Sequence, residues 1–175
     1  ARVLAQVVYY FTAAVSLGAP YRQVSFTVPT GNFGDIFAGY IAKRMGLPIA
    51  QLVVATNHND ILHRTLQTGQ QIKEGVTPSI SPSMDIQVSS NFERVLFDAY
   101  DRDGLVVANQ MAELKERDGF AIGQGAWEFL RDHFDSGRAS EADTSATITR
   151  TLATTGELLC PHSAVGVHVA EPFTG

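Results

Sequence analysis

Apolar residues at Val3, Leu4, Val7, Val8, Phe11 and Val15 recur at helical spacing and predict an amphipathic helix over residues 1–16. Gly18-Ala19-Pro20 ends it. Val24-Ser25-Phe26-Thr27-Val28 is short, rich in branched and aromatic side chains, and bounded by turn formers, which predicts a buried strand. Pro29 to Asn32 reads as a loop. From Asp35 to Met45 the apolar positions Ile36, Phe37, Tyr40 and Ile41 return to helical spacing, until Gly46 and Pro48 close the helix. Leu52 to Thr56 predicts a second buried strand, and Ile61 to Leu66 a third helix stopped by Gly69. Strand, helix, strand, helix across residues 24–69 argues for an α/β fold, a parallel sheet with flanking helices and right-handed crossovers.

Past Gly69 the pattern changes. Residues 70–82 are polar and irregular, and residues 86–100 predict a helix through Val88, Phe92, Val95, Leu96 and Phe97. Two further helices are predicted over 106–117 and 126–134, then a turn at Asp135-Ser136-Gly137-Arg138. Residues 140–155 predict a helix with a polar start, Leu158-Leu159-Cys160 a short strand, and residues 163–170 a last helix. The stretch from about 101 to 155 thus predicts a mainly helical segment packed on the sheet.

Composition narrows the function. With 13 basic against 18 acidic residues the net charge is −5, so the basic footprint of a nucleic-acid binder is missing. No apolar run is long enough to span a bilayer, which argues against a membrane protein. Cys160 is the single cysteine, so no intrachain disulfide can form, which fits a reducing, cytoplasmic setting. His58, His63, His133, His162 and His168 do not make a metal pattern. His58 and His63 are five apart and do not stack on one helix face as a zinc pair would.

Candidate chemistry sits where the first strand meets the next helix, at Pro29-Thr30-Gly31-Asn32-Phe33-Gly34-Asp35. In a parallel sheet, ligands collect at the carboxyl ends of the strands. A helix N-terminus there offers unpaired N–H groups and a partial positive charge, both of which stabilise a phosphate. Gly31 and Gly34 let the backbone turn tightly and approach phosphate oxygens with no Cβ in the way. Asn32 can cap the helix or bond the ligand. No lysine follows at Walker spacing, which argues against a nucleoside-triphosphate loop. On pattern alone a tight strand-to-helix turn with no ligand stands level with a phosphate site.

Three stretches, in order, resemble the threonine synthase family: ARVLAQVVYYF, VSFTVPTGNFGDIFAGYIAKRMGLPI and SPSMDIQVSSNFERVLFD. The resemblance is weakest over residues 101–155. It implies a fold-type-II pyridoxal-phosphate enzyme that converts O-phosphohomoserine and water to threonine and phosphate. It places the cofactor phosphate on Gly31, Asn32, Phe33, Gly34 and Asp35, with the backbone N–H groups doing most of the binding. A carboxylate repels a phosphate, so Asp35 is expected to act as a helix N-terminal anion or to face away. The resemblance also implies that the Schiff-base lysine lies upstream, and that the hydroxyl residue facing the pyridine nitrogen lies downstream. No catalytic residue is therefore expected here, and Lys43, Lys73 and Lys115 read as solvated side chains. Ala1 inside a predicted helix and Gly175 just past another predict an internal fragment, inactive alone. Residues 1–100 would be the cofactor region, and residues 156–175 a strand-loop-helix returning to it.

Four residues are secondary candidates for substrate or cofactor contact. Ser81 and Asp85 precede a predicted helix that either could cap. Asn91 faces the cleft or solvent. His162 lies in a Pro-His segment that resembles one near the cofactor in the family, whereas Cys160 with His162 makes a weak nucleophile–base pair, having no orienting carboxylate nearby. Two other readings remain open at this point: a dehydratase-type lyase of the same fold type, and a non-catalytic β/α domain that binds a phosphorylated ligand.

Overall fold

Strand β2 (Ile49–Thr56) is the centre of the fold in the computed structural model, which describes residues 2–173. It pairs in parallel with β1 (Val24–Pro29) on one side and with β5 (Phe134–Arg138) on the other, so the sheet order is β1-β2-β5. Successive side chains of a strand point to opposite faces. Accordingly Leu52 and Val54 enter the main apolar cluster, whereas Val53 and Ala55 enter a smaller one with Met84, Ala139, Val165 and Val169. A strand buried on both faces must be apolar at consecutive positions, and Leu52 to Ala55 are.

Helices α1 (Arg2–Ser16), α2 (Gly34–Arg44) and α3 (Ile61–Thr68) flank the sheet in the predicted order, and α8 (Pro161–Ala170) covers the smaller cluster. The buried face of α1 is Val7, Tyr10 and Ala14. The Tyr10 ring meets Phe26 edge-on at 4.9 Å and lies over Gly39 of α2. A short antiparallel pair, β3 (Gln70–Ile72) with β4 (Gly119–Ala121), stands apart from the main sheet. Gly69 ends α3 in the left-handed conformation, and Trp127 lies over it and donates to Leu66 O at 2.8 Å. Helices α4 (Phe92–Ala99), α5 (Gly104–Glu116), α6 (Gln124–His133) and α7 (Glu141–Thr155) complete the chain. Asp103 caps α5 and a Ser140–Asp143 capping box opens α7. None of the helices among the described residues is long and apolar enough to cross a membrane.

Four local expectations are corrected. Residues 135–138 form a strand, not a turn: pairing with β2 overrides turn-like composition, and the polar side chains are used, Asp135 by Gln51 and Ser136 by His63. Leu158-Leu159-Cys160 is not a strand: Pro161 keeps Cys160 extended, but the segment pairs with no strand and Leu158 is 72% exposed. Residues 86–91 are not helical, and α4 begins only at Phe92. Gln70 to Ile72, read as irregular, is paired.

A methyl group added at Gly39 would sit 2.6 Å from the Tyr10 ring and 3.0 Å from Leu52. Overpacking of this kind costs about 1–3 kcal/mol, against roughly 1 kcal/mol gained in helix propensity. Gly39→Ala should therefore lower stability in urea unfolding, by up to about 2 kcal/mol. A variant as stable as the parent would mean that Tyr10 swings clear.

Candidate functional site

The β1–α2 loop is held by its carbonyl groups. Ser89 Oγ donates to Gly31 O at 2.6 Å. The Asn91 backbone N–H and side-chain amide both donate to Asn32 O, at 3.0 and 3.1 Å. In a planar trans peptide the N–H points opposite to the C=O. The N–H groups of Asn32 and Phe33 are therefore turned away from residues 89–91. Asn32 Oδ1 accepts from Gly34 N–H at 2.9 Å, so the side chain closes the turn. Phe33, at the N-cap of α2, makes no side-chain capping bond. The first turn of α2 thus keeps donors with no intrahelical partner.

Phe33 itself is not a surface loop residue. Its backbone is left-handed, with φ 65°, a region that costs a non-glycine residue on the order of 1 kcal/mol. Its ring is 1% exposed and sits edge-on to Phe92 at 5.2 Å and Phe134 at 5.4 Å, which holds the conformation in place. Gly31 is glycine because the chain is crowded there: a Cβ would lie 2.5 Å from Ser83 O. At Gly34 a Cβ would meet Asn32 Oδ1 at 3.0 Å and Asn91 Nδ2 at 3.1 Å. Asp35 lies in the first turn of α2 and accepts from the Tyr10 hydroxyl at 3.1 Å, while the same hydroxyl reaches Asp35 O at 2.9 Å. Burial, then the nearby Asp35 carboxylate, pushes the Tyr10 hydroxyl far above its ordinary range, so it remains a donor.

Ser81 and Asp85 belong to a second layer of polar contacts, behind Gly31. Asp85 Oδ1 accepts from Ser79 Oγ at 2.6 Å, Asn59 Nδ2 at 2.8 Å and Asn57 Nδ2 at 2.9 Å, while Oδ2 accepts from Ser79 N–H at 2.8 Å. Burial acts to raise its pKa, but the bonds from Ser79 and Asn57 outweigh it and hold the carboxyl below the ordinary range. Ser81 is fully buried and accepts from Asn57 Nδ2 at 2.9 Å. Both side chains thus fix the 77–85 segment, whose Ser83 carbonyl rests against Gly31. His162, in the first turn of α8, accepts from Ser83 N–H at 3.4 Å. Cys160 instead caps α8, accepting from Ser163 N–H at 3.4 Å, and the bonds to Ser163 pull its thiol below its usual value. The structure therefore brings Gly31, Asn32, Phe33, Gly34, Asn91, Ser81, Asp85 and His162 into one connected neighbourhood, and gives Cys160 a different partner.

The lysines lie in other settings: Lys43 reaches Ala50 O at 3.4 Å, Lys73 pairs with Asp118 at 2.7 Å, and Lys115 is exposed on α5. Among the described residues no three His, Cys, Asp or Glu side chains are grouped to hold a metal ion. Beside the loop opens a cleft of about 360 Å³, lined by Asn32, Gly34, Ser90 and Asn91 together with two guanidinium groups, Arg2 and Arg94. It has the charge and donors for an anion.

No family model matches the sequence. Threonine synthase from Pseudomonas aeruginosa is 53% identical over 97% of this chain, which spans 36% of that relative. The crystal structure of pyridoxal-phosphate-bound threonine synthase from Brucella melitensis is 58% identical over 99% of the chain, with a TM-score of 0.97. The chain is homologous to threonine synthase. Threonine synthase from yeast superposes with a TM-score of 0.89 at 42% identity over 95% of the chain. These matches cover residues 101–155 as well, where motifs were weakest. The chain spans a little over a third of the length of the threonine synthases it matches: 36% of the Pseudomonas relative, 38% of the Brucella chain and 36% of the yeast chain.

Sequence reading missed Tyr10, Asn57, Asn59, Ser79 and Arg94. A signal for two of them was present: Asn57-His58-Asn59-Asp60 directly follows a buried strand, and Asn57, Asn59 and Asp60 are all buried. Polar residues of that density in the interior must be hydrogen-bonded. Tyr10 depends on a partner 25 positions away, whereas Ser79 and Arg94 bond near neighbours, Asp85 and Asn91, across an irregular segment that periodicity does not describe.

Because the folded-state pKa of Asp85 is lowered, its contribution to stability is complete above the unfolded value and disappears as pH falls through the folded one. Asp85→Asn should cost about 1–3 kcal/mol at neutral pH, since charge-assisted bonds from Ser79, Asn57 and Asn59 are lost. The gap in melting temperature between variant and parent should close as pH falls below about 4. A gap that is constant with pH would rule out the ionised carboxylate as its cause.

Proposed function

We propose that this chain is the cofactor-phosphate portion of a threonine synthase, and that Gly31 to Asp35 hold the phosphate of pyridoxal phosphate. The observation that carries the proposal is the tying back of the Gly31 and Asn32 carbonyls, which leaves the Asn32 and Phe33 N–H groups, with those of the first turn of α2 beyond Gly34, as donors at the carboxyl end of β1. The similarity to the Brucella threonine synthase, whose structure contains pyridoxal phosphate, supports it.

The residues fit the group. Gly34 contributes backbone with no side chain where one would crowd Asn32 and Asn91, and the donors are neutral amides at the positive end of a helix dipole. Asp35 adds no repulsion at the phosphate because Tyr10 holds it on the α1 side. When bound, pyridoxal phosphate supplies an electron sink for proton removal at the substrate's α and β carbons. The chain's own part is to bind and orient. The arginine-lined cleft suits a phosphorylated substrate, which we assign as O-phospho-L-homoserine; water and this substrate give L-threonine and phosphate. The lysine that joins the cofactor is assigned to sequence outside this chain. Residues 1–100 form the cofactor region, 101–155 a mainly helical segment, and residues 156–175 return to the cofactor region through His162. The lone cysteine and the biosynthetic reaction suit a cytoplasmic enzyme.

In the full-length protein the expected outcome is a visible absorption band from bound pyridoxal phosphate, and release of threonine and phosphate from O-phosphohomoserine. Gly34→Ala should weaken cofactor retention by about tenfold or more, the equivalent of one lost charge-assisted hydrogen bond. Deamination of unphosphorylated serine or threonine, with O-phosphohomoserine untouched, would point to a dehydratase-type lyase instead. Full cofactor retention by Gly34→Ala would move the phosphate to another part of the molecule.

A further inference from the structure

Arg94 lies on α4, and its position relative to the loop suggests a role that none of the loop's own residues can fill. Its Nε–H donates to Asn91 Oδ1 at 2.9 Å. An amide side chain can sit in either of two orientations, and a donor at the oxygen selects one of them. With Oδ1 held by Arg94, Asn91 Nδ2 must point the other way, and it does so onto Asn32 O at 3.1 Å. The same carbonyl also accepts the Asn91 backbone N–H at 3.0 Å. The two bonds fix the plane of the Asn32–Phe33 peptide. With the amide reversed, Oδ1 would face Asn32 O, and two acceptors in contact would repel, freeing that plane to rotate.

Resting on the function proposed above, we infer that Arg94 is a positioning residue for the phosphate loop, acting through the Asn91 amide to aim the Phe33 N–H at the cofactor phosphate. For this positioning role, as distinct from lining the cleft, the relevant feature of Arg94 is the single N–H at Nε rather than the positive charge. Arg94 forms no ion pair among the described residues and is exposed, so its replacement leaves the core untouched.

Glutamine places its amide nitrogen the same number of bonds from Cα as arginine Nε, which separates the donor from the charge. In the full-length protein, Arg94→Met should retain pyridoxal phosphate about tenfold less tightly, as should Asn91→Ala, and the double variant should be no weaker than either alone, because both act through one contact. Arg94→Gln should bind within about twofold of the parent, and the phosphorus-31 resonance of its bound cofactor should match the parent's, whereas that of Arg94→Met should shift. Melting temperatures of the cofactor-free variants should agree with the parent's. Loss in Arg94→Gln as great as in Arg94→Met would assign the effect to charge and overturn the inference, as would additive losses in the double variant or full retention by Arg94→Met. A parent protein that takes up no pyridoxal phosphate would overturn the functional reading as well, whereas uptake with insensitivity to Arg94 would overturn only the role of Arg94.

Discussion

The local structure depends on two backbone carbonyls being engaged from behind. Gly31 O and Asn32 O are each bound by residues that precede α4 by a few positions, and a planar peptide cannot offer both its C=O and its N–H to the same side. Once Ser89 and Asn91 take the carbonyls, the donors face the other way with no further adjustment. The orientation of the loop is thus set by a contact between segments some sixty residues apart, with separations of 58 and 59 positions. The glycine-rich loop alone does not determine it. The two glycines serve this contact: Gly31 admits the Ser83 carbonyl and Gly34 leaves room for the Asn91 amide.

This explains how much could be read from the chain. The α/β class, α1, α2, α3 and the central strand were legible because burial of a parallel sheet writes itself as short apolar runs alternating with helical periodicity. The loop was legible as a strand-to-helix junction with glycines. Strand β5 was not, since Asp135, Ser136 and Gly137 carry the composition of a turn, and only pairing with β2 makes them a strand. Residues 86–91 were mistaken for helix because Val88 is in register with Phe92 and Val95, while the actual use of Ser89 and Asn91 is to bond a loop far upstream. Leu158 and Leu159 looked like strand from hydrophobicity alone, with no partner to confirm it.

The reasons for individual site residues shifted in the same direction. Besides their proposed part in holding a phosphate, Gly31 accommodates a carbonyl and Phe33 anchors the loop in the core. Ser81 and Asp85 support the layer behind the loop. Asp35 is turned to Tyr10. Side chains therefore shape the loop and fix its main chain, an arrangement that tolerates little change in backbone direction.

Phe33 carries one consequence beyond this molecule. Its unfavourable backbone conformation is held only because the ring is wedged between Phe92, at the start of α4, and Phe134, at the head of β5. The five-residue motif is accordingly not a portable cassette. Grafted onto another scaffold without that aromatic trio, it would relax towards an ordinary turn. Any transplant has to carry the two distant rings along with the glycines.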